Sequence, residues 1–281
     1  GSASGADWTN ALPSFPASLT RNDIYYVADG SYGAQTFDDA EDGSKMITIK
    51  KATEADHGVE TGWQRDYGDG QATFGSLTFQ NGYYMFNGNN VSGYGFAVAI
   101  PPSGTGIFVQ GYSSVDFVTL KSVSVNGAAA AAEARSITIK DGSHILLSNV
   151  EAKSTENDGI SMSNVTDSVI EYFYVHSRRT GSGIHGDAIE IWGGGNNTVR
   201  FSRFAWNGQQ IFWGGDRVHG RWDIYGNVFY DAPSAGKGLH PQSGNPIVGP
   251  IYVYNNTFNN LNIAMDLGSN TTGKVMNNIF Y

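Results

Sequence analysis

A six-residue apolar phrase recurs along the second half of the chain. Val199 to Phe204, Ile224 to Phe229, Val253 to Phe258 and Val275 to Phe280 each carry Ser or Asn at the fourth position, namely Ser202, Asn227, Asn256 and Asn278. Ile145 to Val150 extends the series back to Asn149, with Phe173 filling the slot between, and the spacings are then 24, 29, 25, 29 and 22 residues. A second series runs in step: Asp158-Gly159-Ile160, Asp187-Ala188-Ile189, Gln209-Gln210-Ile211, Lys237-Gly238-Leu239 and Asn262-Ile263. Repeats of 20 to 50 residues mean a solenoid, a propeller or an array. Two short strands per repeat are too few for a four-stranded propeller blade, and the leucine-rich consensus is absent. The spacing therefore predicts an all-β, single-stranded right-handed parallel β-helix, each coil stacked on the last.

Composition agrees with that reading. The 281 residues include 37 glycines and 23 asparagines, the residues that turn a chain and tolerate left-handed backbone. Charged residues make up 15%, against roughly 25% in an ordinary soluble domain. There is no cysteine, which excludes disulfides and thiolate metal sites. A net charge of −9 argues against nucleic acid as partner, since polyphosphate affinity needs clustered Lys and Arg. No apolar run is long enough to span a membrane. The Asn-x-Ser/Thr sequons at Asn90, Asn164, Asn196, Asn255 and Asn270 read as turn chemistry rather than glycosylation.

The whole of 1–281 reads as one β-helix domain, with an N-terminal cap at about 6–20 and coils from about 21 to 281. Asp7 to Leu12 is expected as a short capping helix, and Ala128 to Ala134 has high helix propensity. The chain ends on an apolar strand, Val275 to Tyr281. An uncapped coil exposes a strand edge, so a C-terminal cap is expected outside this chain. Gly1-Ser2 reads as an expression scar that replaced a signal peptide, and the expected location is secreted or cell-surface, as a monomer.

The stretch from Leu19 to Tyr32, with Asp23-Ile24 and Ala28-Asp29-Gly30, is followed by Ile47-Thr48-Ile49. It resembles the first coils of β-helical polysaccharide lyases of the chondroitinase B and alginate lyase family, and Asp187 to Arg217 suits that family's central coils. The resemblance implies a secreted enzyme on a polysaccharide, with a Lys base, an Arg on the next coil and acidic ligands for Ca²⁺. Asp187 falls at one acidic position and His185 at another. The Lys position falls on Trp192 and the Arg position near Trp213 or Gly214, so the basic pair is missing from this sequence. A second resemblance, to polygalacturonase-like hydrolases, rests on Asn157-Asp158-Gly159-Ile160 and Gly186-Asp187-Ala188-Ile189. Gln209 and Gln210 stand where that family carries a Gly-His-Gly coil.

Alternation along Asp187 to Trp192 puts Ile189 and Ile191 on one face and Glu190 and Trp192 on the other. Carried across the coils, the same phase aligns Ser161, Glu190, Phe212 and His240 in one outward column. Asp158, Asp187, Gln209 and Lys237 form another at the strand starts. Carboxylates on adjacent coils, roughly 5 Å apart, raise one another's pKa or bind a cation, and paired carboxylates are what glycoside hydrolysis needs. Asp158, Asp187, Glu190 and His240 are accordingly the candidate catalytic residues. Trp192 and Phe212 are candidate sugar platforms, while Trp213, in phase with Ile191 and Met162, belongs to the core. Arg178, Arg217, Lys237 and Gln209 are candidate substrate contacts for a carboxylated or sulfated sugar. A cation at Asp158, His185 and Asp187 is a further reading. No complete motif demands a cofactor, and Ca²⁺ is the one the resemblance implies. The alternative for both aspartates is a structural cap bonded to backbone amides. The sequence thus supports cleavage of a polysaccharide by elimination or hydrolysis, or glycan binding and adhesion without catalysis.

Overall fold

The computed structural model of the chain describes residues 2–89, 93–127, 134–153, 157–176, 186–205, 208–215, 220–232, 236–242, 249–268 and 271–281. They wind into an all-β parallel solenoid of about 8 turns. Each turn adds to an eleven-stranded sheet and to an eighteen-stranded sheet. From Ile160 to Leu239 the register is the one the second repeat series predicts; at its last member Leu239 pairs with Met265, and Ile263 stands opposite Lys237, exposed. Ile160 pairs with Ile189, Ile189 with Ile211, and Ile211 with Leu239; all four are fully buried. Inside the other sheet, Phe204, Phe229, Phe258 and Phe280 stack at centroid spacings of 4.9, 4.8 and 5.2 Å. Those spacings match the distance between neighbouring strands, ~4.8 Å. One ring per coil therefore builds a continuous apolar column with no gap to fill.

The first repeat series marks a corner of the coil. Asn149, Tyr172, Phe201, Gly226, Asn255 and Asn277 all have φ between 51° and 68°, and each is followed by an inward residue. Those inward residues form a ladder. Asn256 Oδ1 accepts from the Asn227 N–H and Asn278 Oδ1 from the Asn256 N–H, both at 3.0 Å. Asn227 Nδ2 donates to the Val199 carbonyl and Asn256 Nδ2 to the Ile224 carbonyl, each at 2.9 Å. Each side chain thus satisfies backbone groups that the corner leaves unpaired. The spacing placed Asn149 in this ladder, but Asn149 is a left-handed corner residue and Val150 is the buried one. At Gly226 a Cβ atom would come within 2.7 Å of the Phe201 ring, so only glycine fits this corner.

The expected helix at Asp7 to Leu12 does not form, and no α-helix occurs among the described residues. Asp7 Oδ1 accepts from the Asn10 N–H at 2.8 Å. That local side-chain bond competes with helix, and six residues are too few to nucleate one unaided. The segment is instead pinned to the first coils by the indole of Trp8, whose Nε1–H donates to the His57 carbonyl at 3.0 Å. Of Ala128 to Ala134, residues 128–133 lie outside the described residues, and Ala134 is buried.

Asp29, in the opening phrase, is a clamp. Its Oδ1 lies 2.6 Å from Nζ of Lys51, which is 1% exposed. Among the sequon residues, Asn164 and Asn196 donate to Asp141 and Asp167 of the preceding coil, and both pairs sit in left-handed turns. The final strands, Thr272–Met276 and Ile279–Phe280, are exposed throughout. No helix among the described residues is long and apolar enough to cross a membrane.

Candidate functional site

The outer face of the eleven-stranded sheet carries the candidate residues in rows. Ser161 pairs with Glu190, Glu190 with Phe212 and Phe212 with His240. Asp187 pairs with Gln209, and Gln209 with Lys237. The two rows meet at the strand Asp187–Gly195. Carboxylate oxygens of Asp158, Asp187 and Glu190 all lie within 4.8 Å of one another. Asp158 and Asp187 are fully buried, whereas Glu190 is 9% exposed and is the member that reaches the face.

Asp158 is held from two sides. The Asp187 N–H donates to its Oδ1 at 3.3 Å, and Arg135 Nε donates to its Oδ2 at 2.9 Å. The capping alternative thus describes part of what Asp158 does. Burial, then the charge of Glu190, push its carboxyl up to about 6, against the opposing pull of Arg135. Glu190 Oε2 accepts from Ser161 Oγ at 3.0 Å. Carboxylates this close disfavour one another's ionisation or share a divalent cation. All three donors are hard oxygen ligands of the kind Ca²⁺ and Mg²⁺ take, so Asp158, Asp187 and Glu190 are the residues that would hold such an ion. His185, expected as a ligand, lies outside the described residues, as do Arg178 and Arg217.

Further along the same face, Lys237 Nζ lies 2.9 Å from His240 Nε2. On the other side Asp266 Oδ2 lies 3.6 Å from His240 Nδ1. Burial, and then the Lys237 charge, hold the imidazole below its ordinary pKa of 6.5, with Asp266 pulling the other way. His240 is therefore neutral at pH 7, with a basic nitrogen turned toward Lys237. Glu190 and His240 are separated by the Phe212 strand, which sets their backbones about 10 Å apart. Phe212 is 6% exposed and forms a wall between them rather than an open platform. Trp192 points outward, half-buried, with its indole over the next coil; a Cβ at Gly214 would lie 2.9 Å from the ring. Trp213 is in the core, 1% exposed.

Two residues of this site went unread in the sequence. Arg135 pairs in register with Thr105 and faces Asp158, but its coil lacks the Asp-Gly start that marked the others. Asp266 follows the short strand Ile263–Met265. Extending the coil offset one turn each way would have found both. A cleft of about 630 Å³ opens far from here, between the N-terminal segment and the first coil, lined by Trp8, Phe15, Tyr25 and Tyr26 among others. Its polar tips are engaged within the chain, as in the Tyr26 hydroxyl's bond to Asp56 at 3.1 Å.

The charge state of Asp158 has a measurable consequence. Its folded pKa lies above the ordinary 3.8. The native state therefore binds this proton more tightly, and the associated stability is lost as pH rises through about 6. The size is on the order of 3 kcal/mol. Asp158→Asn keeps an oxygen for the Asp187 N–H and removes the titration. Chemical denaturation at pH 4.5 and 7.5 is expected to show the wild-type protein losing stability relative to the variant as pH rises. Parallel changes in the two proteins would remove the buried proton.

No protein-family model matches the sequence, and no curated protein matches it. Solved structures resemble it at a distance. The periplasmic alginate epimerase AlgG aligns with 11% identity over 92% of this chain and 70% of that one, at a TM-score of 0.36. The GH136 lacto-N-biosidase from Eubacterium ramulus aligns with 11% identity over 94% and 62%, also at 0.36. The A-module of the Azotobacter vinelandii mannuronan C-5 epimerase AlgE6 aligns with 11% identity over 92% and 91%, at 0.31. Similarity this distant carries no residue role from those proteins to this chain.

Proposed function

We propose that this chain is a secreted or cell-surface carbohydrate-active protein that hydrolyses a polysaccharide lying across the outer face of the eleven-stranded sheet. The observation that carries the reading is the group of three carboxylates, Asp158, Asp187 and Glu190, reaching the face at Glu190 two strands from His240. Asp158, its carboxyl pushed up to about 6, holds a proton behind Glu190, which delivers it to the glycosidic oxygen as general acid. His240, neutral at pH 7, takes a proton from the attacking water. Asp266 orients its ring, and Lys237 swings from Nε2 to a polar group of the sugar. Glu190 and His240 stand on the same face two strands apart, with room between them for a sugar ring and a water.

A second reading is a glycan-binding module without catalysis. It is favoured by the full burial of Asp158 and Asp187 and by the bonds that occupy Asp158. One screen separates the two. The protein is incubated with neutral and acidic polysaccharides, with and without Ca²⁺. New reducing ends without absorbance at 235 nm are expected. A rise at 235 nm would replace hydrolysis by elimination, and retention on a gel with no product would favour binding alone.

A further inference from the structure

The eighteen-stranded sheet has an outer face of its own, on strands that carry none of the candidate site residues above. Its rows follow from register: Glu151 pairs with Tyr174 and Tyr174 with Arg203. In the next row Lys153 pairs with His176, and Ala205, one position beyond the Val175–Phe204 pair, pairs with Tyr230.

Charge is distributed unevenly here. Glu151 is compensated: Ser124 Oγ donates to it at 2.7 Å, His176 Nε2 lies at 3.1 Å and Lys153 Nζ at 3.7 Å. Arg203 is not. Arg135, Arg200 and Arg221 are each bonded to a carboxylate, but no carboxylate among the described residues pairs with Arg203. Its guanidinium instead lies 4.3 Å from the centre of the Tyr174 ring, and the residue is exposed.

Further aromatic groups neighbour that Tyr174 ring. The Tyr174 ring stacks on His176 at 4.1 Å. The Tyr230 hydroxyl reaches the Tyr174 hydroxyl at 3.4 Å, across the row that Ala205 keeps low. Tyr94 lies close enough for Glu151, Arg203 and Tyr174 all to act on its ionisation. Burial, chiefly, pushes Tyr94 and Tyr230 up to about 12, so both stay neutral phenols and add no competing negative charge.

We propose that Arg203, flanked by Tyr94, Tyr174 and Tyr230, forms a second glycan subsite that grips the carboxylate of a uronic-acid residue. The proposal rests on the reading above that the ligand is a polysaccharide, and it specifies the chemistry of that polymer. A guanidinium matches a carboxylate geometrically through paired N–H donors. Tyrosine rings cover the apolar C–H face of a sugar while their hydroxyls bond its oxygens. A chain with a net charge of −9 has no long-range attraction for a polyanion. It needs a local cation that no carboxylate among the described residues neutralises, and Arg203 is one. The subsite lies on a different sheet from Glu190, so it holds the polymer rather than reacting with it.

The test uses polygalacturonate, alginate and hyaluronan, each beside its carboxyl-reduced form, with affinity measured by calorimetry and gel retardation. At least one uronate polymer is expected to bind more tightly than its reduced form. Arg203→Met keeps the apolar stem and is expected to lower that affinity about tenfold. Arg203→Lys should recover part of it, and raising salt should shrink the difference. The Arg203 side chain makes no hydrogen bond among the described residues, and its backbone bond to the Phe173 carbonyl survives substitution, so unchanged melting temperatures are expected. Equal binding of polymer and reduced form, or wild-type affinity in Arg203→Met, would overturn the proposal. Failure of the catalytic reading looks different: no reducing ends appear while Arg203-dependent binding persists.

Discussion

Replacing Glu190 with Gln is expected to lower the rate of polysaccharide cleavage by about 10³-fold while leaving binding nearly unchanged. The magnitude is that of a lost general acid. The substitution is nearly isosteric, and the new amide oxygen still accepts from Ser161 Oγ, which now bonds Glu190 at 3.0 Å. It also removes the charge that, after burial, does most to hold the Asp158 carboxyl near 6. The buried proton is therefore released more readily from Arg135's partner, and the alkaline limb of the variant's residual activity should move to lower pH. The wild-type profile is expected to fall as pH rises through about 6. Above that pH Asp158 loses its proton; the acid limb is the protonation of His240, at a pKa under the ordinary 6.5. Initial rates of reducing-end release from pH 4 to 8 measure both limbs. Activity within tenfold of wild type in Glu190→Gln would take the proton donor away from Glu190.

The second large effect is on the fold. Asn256→Ala is expected to cost about 3–5 kcal/mol, because it leaves buried groups on two coils without partners, each worth about 1–3 kcal/mol. Asn256 is 1% exposed. Its amide serves the Ile224 carbonyl at 2.9 Å, the Tyr254 carbonyl at 3.1 Å and Asn278 Oδ1 at 3.0 Å, and its oxygen serves the Asn227 N–H. At roughly 3 °C per kcal/mol for a chain of this size, melting should fall by about 10 °C. Stacked coils touch only their neighbours, so hydrogen exchange should speed up first around residues 224–280. Asn278→Ala, at the less buried end of the ladder, should cost less than half as much. Equal effects at both positions would mean that the ladder is not what binds these coils.

The coil pattern was legible because β-strands alternate and parallel stacking preserves phase. Ile160, Ile189, Ile211 and Leu239 announce one inward column, and once that is placed, Ser161, Glu190, Phe212 and His240 must share the outward one. The error at Asn149 has a physical source. Corner and ladder positions are adjacent, both accept Asn, and left-handed backbone at Tyr172 and Phe201 has no residue signature. The capping helix failed because a single Asx bond at Asp7 outweighs weak local propensity. Arg203 was passed over for a different reason. Outward residues of the eighteen-stranded sheet follow no motif, and an arginine reads as solvated surface until the tyrosines around it are seen. Burial was equally hidden in sequence: nothing in Asp-Gly-Ile or Asp-Ala-Ile shows that both aspartates are sealed from solvent while Glu190 is not.

The most direct measurement is a crystal structure of the Glu190→Gln protein soaked with an oligosaccharide of whichever polymer the screen selects. Density for the sugar is expected along the row from Ser161 to His240, with a glycosidic oxygen within hydrogen-bond reach of the residue at 190. Oligosaccharide bound only elsewhere, with that row empty and cleavage by the wild-type protein intact, would contradict a site on this face.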